Sequence, residues 1–184
     1  SSGTIADSRV HGQLSFSTGT DAAPSVLTER MTILNSGNVG IGTTIPKNPF
    51  SVVTEQSAQY PIAGEIYSGD SVGAIYLGRK ARGTAALPTA ALANDVLTGL
   101  VGIGYTGSAF SAEAVHVTLR ASENFSSTNQ GTYIVFETTP NGSTGASRAE
   151  RMRVLGSGNV GIGTTTPTNT LGVQGTGYFS GSLF

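Results

Sequence analysis

Apolar and polar residues alternate with a period of two along much of this chain. Met31 and Ile33 flank Thr32. Val39 and Ile41 flank a glycine in the same way. Side chains of a β-strand point alternately to its two faces, so this period indicates strands with one apolar face. The longer spacing of an amphipathic helix is not seen over any extended segment. The pattern therefore predicts an all-β fold.

The same criterion predicts further strands in the middle of the chain. They are short apolar or alternating runs bounded by Gly, Asn, Ser or Pro, at residues 50–53, 62–67, 74–78, 96–105, 114–121 and 133–137. Residues 84–94 are rich in Ala and contain a proline. We predict an extended loop there rather than a helical turn.

A long internal repeat organises the sequence. Residues 29–44 read ERMTILNSGNVGIGTT, and residues 150–165 read ERMRVLGSGNVGIGTT, with 13 of 16 positions identical. The copies start 121 residues apart, and a proline follows each copy at the same distance. Repetition of this kind is typical of proteins that stack one structural unit many times. The chain should therefore cross one full repeat and include parts of two others.

The repeat predicts three parts. Residues 1–49 form the end of one repeat with the first motif copy, residues 50–130 form a β-rich middle module, and residues 131–184 hold the second copy and the start of the next repeat. The similarity extends upstream of the motif, where Phe136 matches Phe16 with one extra residue before the second copy.

Glycine and asparagine mark turns and a thin strand within each copy. Residues 35–38 and 156–159 separate two apolar pairs, and both residue types tolerate the positive φ of a tight turn. Each turn should join two strands of a hairpin. The following strand reads Asn-Val-Gly-Ile-Gly. Its glycines cannot fill space on one face, so we expect the backbone of a neighbouring chain to approach there.

Eight apolar residues of the two copies are predicted to form a repeated structural core: Met31, Ile33, Val39, Ile41, Met152, Val154, Val160 and Ile162. Apolar residues are few for a thick core, and only 11% of residues are charged. A chain of this kind gains stability when several copies share one interior, because association buries surface that a lone chain exposes. We therefore predict a homo-oligomer in which these eight residues are buried.

Composition argues against several classes of site. The chain has no cysteine, so it has neither disulfides nor a thiolate site. Its net charge of −1 gives no electrostatic footprint for nucleic acid. Its apolar runs are well short of the roughly 18 residues that a membrane span needs, so membrane insertion is not expected.

Candidate ligand-binding residues do not form a recognisable site. Residues 102–107, GIGYTG, have the glycine spacing of a dinucleotide-binding loop, but a strand pattern follows where that loop needs a helix. His11 and His116 lie far apart, and we interpret both as solvent-facing strand residues. No metal-ligand spacing selects them, although a His or Asp ion site on an axis between copies remains an alternative. We predict no cofactor and no metal.

The carboxylates and tyrosines are equally scattered. Glu65, Asp70 and Asp95 stand singly, whereas a glycosidase needs two carboxylates about 5–10 Å apart. We therefore predict no catalytic residue and no enzyme activity. Glu-Arg opens each motif copy and is predicted to form charge pairs that fix strand register. The tyrosines should pack on a core, with sugar stacking as the alternative; they are Tyr60, Tyr67, Tyr76, Tyr105, Tyr133 and Tyr178.

The motif resembles a known family. Residues 150–167, ERMRVLGSGNVGIGTTTP, are similar to the recurrent motif of phage tail-fibre and tail-spike proteins, which also occurs in some bacterial surface fibres. Residues 82–90, 124–132 and 136–143 resemble the same proteins. The resemblance implies a trimeric β-rich fibre and provides no catalytic residue for this segment.

Together these observations predict a structural segment of a fibre. The expected fold is an elongated, β-helix-like, repeat-built all-β shaft, an intertwined homotrimer that spaces or presents a receptor-binding tip on a virion tail fibre or at a cell surface. One alternative is a β-rich adhesion module, in which residues 50–130 contact a host cell-surface receptor or glycan. Another is a subunit of a cellular extracellular filament with open-ended contacts.

Overall fold

A computed structural model describes residues 12–19, 21, 23–54, 61–67, 69, 71 and 73–176. These residues form twelve strands and one 3-10 turn (Gly145–Ser147), and none of them lies in an α-helix. The all-β prediction is confirmed. The chain divides into two compact units, residues 1–75 and 76–184. The three-part division, which follows the sequence repeat, stays a prediction.

The first unit contains one four-stranded sheet. Its strands follow one another in chain order: β1 (Leu14–Gly19), β2 (Leu27–Ile33), β3 (Val39–Ile41) and β4 (Phe50–Val52). The first three strands are antiparallel, and β4 lies parallel to β3. The predicted turn between β2 and β3 is confirmed, since the Gly37 N–H donates to the Leu34 carbonyl at 2.9 Å and Gly37 has a φ of 85°.

The second unit contains a small hairpin and a six-stranded sheet. The hairpin consists of β5 (Arg82–Gly83) and β6 (Pro88–Thr89). The sheet has the order β12-β11-β10-β9-β8-β7, and its strands are β7 (Val96–Gly102), β8 (Val115–Ala121), β9 (Thr132–Thr138), β10 (Ala149–Val154), β11 (Val160–Ile162) and β12 (Leu171–Val173). Only the β11–β12 pair is parallel within this sheet.

Strands β9 to β12 have the same arrangement as β1 to β4. Phe136 lies opposite Met152 in the second unit, and Phe16 lies opposite Met31 in the first. In both units the pairing skips the arginine of the Glu-Arg dipeptide, which forms a β-bulge. The upstream match of Phe136 to Phe16 inferred from the sequence therefore holds in the structure, because both residues pair with the methionine of their motif. Strands β7 and β8 extend the sheet beyond β9 only in the second unit.

The segment that joins β3 to β4 folds back over the glycine of β3. A Cβ atom added to Gly40 would lie 2.4 Å from the Thr43 carbonyl oxygen, which is shorter than a van der Waals contact. The Asn38 side-chain amide donates to the Pro46 carbonyl at 3.2 Å, and Pro46 is buried.

The second unit repeats this loop. A Cβ atom added to Gly161 would lie 2.4 Å from the Thr164 carbonyl oxygen. The Asn159 side-chain amide donates to the Pro167 carbonyl at 3.1 Å. The expectation that a neighbouring chain approaches the glycine face is wrong, because the chain's own Thr-Thr-x-Pro loop already fills that space. Glycine is needed here for close packing within one chain.

Two predicted strands do not form. Residues 62–67 and 74–78 lie outside every described strand, although their apolar composition suits one. A strand requires a neighbour with free backbone groups, and none of the described strands pairs with these segments. Strand β7 ends at Gly102 rather than at residue 105, because the chain there enters a loop closed by a hydrogen bond from the Ser111 N–H to the Gly104 carbonyl at 2.8 Å. Residues 84–94 hold the turn of the β5–β6 hairpin and its following loop, without a helix.

Replacing Gly161 by Ala should therefore lower the free energy of unfolding by about 1–3 kcal/mol, the usual cost of overpacking a filled site. Gly104→Ala is the matched control, since nothing lies within 4 Å of its added Cβ. Urea denaturation of both variants measures the difference. Equal stability losses would contradict the packing of the loop against Gly161.

Candidate functional site

The six-stranded sheet has two chemically different faces. On β8 and β9 the chain itself covers Ala121, at the end of β8, and four residues that point to one side of the sheet: His116, Thr118, Tyr133 and Val135. We call this side the polar face. His116 is only 7% exposed, so its prediction as a solvent-facing residue is wrong. The alternation was read correctly, but the covered side of the sheet is the one that carries the polar residues.

The opposite side carries two unbroken apolar rows. One row runs across five neighbouring strands and the other across all six; in order they are Leu171, Val160, Val154, Ile134, Leu119 and then Val173, Ile162, Met152, Phe136, Val117, Leu100. We call these eleven residues the apolar face. Every one of them is half-buried or exposed, and Leu100 is 75% exposed.

The first unit has the same two rows on a smaller sheet. They are Leu14, Ile33, Val39, Phe50 and Phe16, Met31, Ile41, Val52. All eight residues predicted to form the repeated core therefore lie in apolar rows, four in each unit. Within one chain they are half-buried or exposed, with Ile41 at 40% and Ile162 at 43%. Their burial in an assembly stays a prediction.

Charged residues on the polar face compensate one another. The Glu137 carboxylate lies 3.3 Å from His116 Nδ1, 3.4 Å from Arg120 and 3.6 Å from Arg148. Glu113 lies 3.0 Å from His116 Nε2, and its backbone carbonyl accepts a hydrogen bond of 2.6 Å from Arg148. This cluster ties the segment after β9 to β8. It borders a cleft of about 350 Å³.

The Glu-Arg dipeptide of each motif acts within its own chain. The bulged Arg151 donates to the Thr138 hydroxyl at 3.1 Å, and Arg30 makes the same bond to Thr18 at 2.9 Å. These bonds support the register role predicted from the sequence. The partner of each arginine, however, is a threonine rather than an acid.

The glutamate of the second motif pairs with an arginine inside the motif. Arg153 forms two hydrogen bonds to Glu150, at 2.5 and 2.6 Å, and lies 5.1 Å above the ring of Tyr133. The bonds to Glu150 raise the pKa of the Arg153 guanidinium above its usual value. Alignment of the two motif copies shows position 153 only as a mismatch with Thr32, so the sequence does not reveal the Arg153–Glu150 pair.

The first motif has Thr32 where the second has Arg153. Glu29 therefore accepts only the Ser15 hydroxyl, at 2.7 Å, through one carboxylate oxygen. The other oxygen and the Thr32 hydroxyl have no hydrogen-bond partner within the part of the chain that the structure describes. The two motif copies thus share a backbone but differ in how well their polar groups are satisfied.

A second ion pair fixes the start of β7. Arg82 donates to both oxygens of Asp95, at 2.6 and 2.8 Å, and the Leu92 N–H donates to the same carboxylate at 3.0 Å. The bond from Arg82, followed by that from Leu92, holds the pKa of Asp95 far below its usual value. Asp95, predicted to stand alone, therefore joins the β5–β6 hairpin to the sheet.

The remaining candidate residues do not converge. The glycine-rich residues 102–107 form the end of β7 and a loop in which Tyr105 and Phe110 meet edge to face, with ring centroids 5.5 Å apart. Tyr133 is buried, whereas Tyr67 is exposed and donates to Glu65 at 2.8 Å.

Four candidates lie outside the described residues: His11, Tyr60, Asp70 and Tyr178. Among the described residues, no three or more potential metal ligands come together. No helix in the described part of the chain is long and apolar enough to span a membrane.

Comparison with known proteins gives a limited likeness of fold. No family model matches the sequence, and no curated protein resembles it. The similar solved structures include two of the carboxy-terminal domain of the bacteriophage T5 L-shaped tail fibre, one of them with its intra-molecular chaperone domain. Each shares 20% identity over 55% of this chain, with a TM-score of 0.48. The matched region spans 36% of one of those chains and 25% of the other.

Replacing Arg153 by Thr, which copies the first motif, should lower the free energy of unfolding by about 2 kcal/mol, because a half-buried carboxylate loses its charged hydrogen bonds. Arg151→Thr is the control, since Arg151 is exposed and its change should cost about 0.5 kcal/mol. Chemical denaturation compares the two variants. A larger loss for the control would overturn the role assigned to Arg153.

Asp95 should make stability depend on pH in the acid range. Because its pKa is lowered in the folded state, its contribution is present above the unfolded pKa of about 3.9 and is lost as the pH falls toward the folded value. Asp95→Asn should therefore be less stable than the wild type at pH 7. The difference should shrink below about pH 4. Urea midpoints at several pH values test this, and a difference that stays constant with pH would contradict it.

Proposed function

We propose that this chain is a structural segment of a fibre, built by recurrence of one four-stranded unit and assembled from several copies of the chain. The observation that carries the proposal is that the same unit occurs in both compact parts of the chain. Fibres and solenoids gain length by adding units of this type.

The two units agree in individual backbone hydrogen bonds. The Gly42 N–H donates to the Arg30 carbonyl at 3.0 Å, and the Gly163 N–H donates to the Arg151 carbonyl at 2.9 Å. At the start of β3 the Val39 N–H donates to the Pro49 carbonyl. At the start of β11 the Val160 N–H donates to the Thr170 carbonyl in the same way. Such agreement supports a unit defined by its motif and independent of the sequence between motifs.

The thin core of the single chain supports self-association. Glycines and prolines aside, the apolar residues that are buried in the described part of the chain are Ala91, Ala121, Tyr133 and Val135. None of the large aliphatic residues Leu, Ile and Met is among them. Chains that bury so little alone reach stability by associating, as obligate oligomers do.

A homotrimer is the stoichiometry that the resemblance of the motif to tail-fibre proteins implies. The same resemblance favours a shaft that spaces or presents a receptor-binding tip, on a virion tail fibre or at a cell surface. We assign no catalytic role to this segment.

A second candidate function is adhesion through the β7–β8 loop. Tyr105 and Phe110 are each 63% exposed there, and hydrogen bonds within the loop hold them in place. Rigid exposed aromatic rings suit contact with a cell-surface glycan or protein, since they offer large area at low entropic cost. This candidate differs from the first in predicting a ligand for the isolated segment.

Light scattering and electron microscopy of the full chain test the first proposal. We expect a mass of three chains and rod-shaped particles. A compact monomer would overturn the fibre proposal and leave the adhesion candidate. Filaments of indefinite length would instead indicate a cellular filament, because open-ended contacts do not close into a discrete oligomer.

A further inference from the structure

We infer that copies of this chain meet through the apolar face of the six-stranded sheet, and that the occupant of this face is a second copy. The inference rests on the proposed self-association and specifies the surface that performs it. It also rejects the glycine side of the motif strands as the surface of contact.

The first step is the inverted polarity of the sheet. On β8, Val115 and Leu119 are 45% and 40% exposed, whereas His116 and Thr118, which point to the other side, are 7% and 3% exposed. A sheet with one solvated face normally places its apolar residues inside and its polar residues outside. In this sheet the loops and ion pairs of the same unit cover the polar face. On the apolar side the chain's own cover lies near β7, where Gly78 packs against Thr98. The eleven residues of the apolar face remain half-buried or exposed.

The second step is that the two rows of the apolar face lack charged side chains, which would favour exposure to water. The two rows contain no charged residue across the six strands. Contiguous apolar patches of more than a few hundred Å² are rare on soluble monomers and mark interfaces. Leu100, at the β7 end of one row, is 75% exposed.

The third step is the extent of the face. Its eleven residues form one row across five strands and one across all six. Five of them, Leu100, Leu119, Ile162, Leu171 and Val173, are at least 40% exposed in the single chain. The face is therefore extensive enough to contribute to a stable association.

The fourth step identifies the occupant. An uncharged, regular, apolar sheet face is complemented best by another such face, since two sheets pack about 10 Å apart through interdigitated apolar side chains. Each copy of the chain supplies this complement, and the first unit has the same rows. A polar or charged partner would lose hydration at this surface and gain no compensating bond.

Two neighbouring residues of β7 provide a matched test. Leu100 belongs to the apolar face, and Val101 points to the opposite side of the same strand. Both are exposed in the single chain, at 75% and 51%, so neither change should disturb folding of one copy. We expect Leu100→Glu to reduce the mass measured by light scattering toward that of one chain. Val101→Glu should leave the mass unchanged.

A second readout does not depend on breaking the assembly. The chain has no cysteine, so Leu100→Cys and Val101→Cys each introduce one thiol into a silent background. In the native assembly the thiol at position 100 should react with a small disulfide reagent at least tenfold more slowly than the thiol at position 101. The exposures in the single chain predict the reverse order.

The outcomes separate this inference from the proposed function. A wild-type oligomer in which position 101 is protected and position 100 reacts would overturn the inference and leave the fibre proposal standing. Equal and fast reaction at both positions in an oligomer would also overturn it. A wild-type monomer would overturn the proposed function itself. Circular dichroism of each variant shows whether a loss of mass reflects dissociation rather than unfolding.

Discussion

The structure depends on one constraint: a sheet whose apolar side is largely uncovered by the described residues of its own unit, apart from residues 76–78 near Thr98. Every strand of the motif contributes to that side, and the rows run without interruption from β7 or β8 to β12. Layered architectures exist because such a face must be covered. Where the chain does not provide the cover, folding and association become a single process, and stability depends on the concentration of the chain.

The polar face shows how the single chain has arranged its other side. Small residues bring the connecting loops close to the strands, so that the loop after Gly161 lies directly on the sheet. Farther along, the carboxylate of Glu137 lies close to Arg120, Arg148 and the His116 imidazole, and Arg153 lies over the ring of Tyr133. These contacts pair charged side chains of this face within one chain. Specific polar interactions therefore stabilise the polar face within one unit. The apolar face is the surface that remains for the proposed contact with another copy.

Sequence reasoning located the motif strands because local information determines them. The alternation around Thr32 and the positive φ at Gly37 both act within a few residues. It failed for residues 62–67 and 74–78, since a strand also needs a neighbour that the sequence does not reveal. It misjudged His116 for a related reason: period two shows that faces differ, but not which face the loops will cover.

The glycine side of the motif is where sequence and structure differ most usefully. The strand around Gly40 was correctly recognised as thin, and the conclusion that a backbone approaches it was also correct. The approaching backbone belongs to the Thr-Thr-x-Pro end of the same motif, whose Asn38 amide holds Pro46 in place. The motif is therefore recurrent as a whole because its parts fit one another: the turn positions the asparagine, the asparagine holds the loop, and the loop requires the glycine. A unit closed on one side in this way leaves its other side for the proposed assembly, and the apolar rows are on that side.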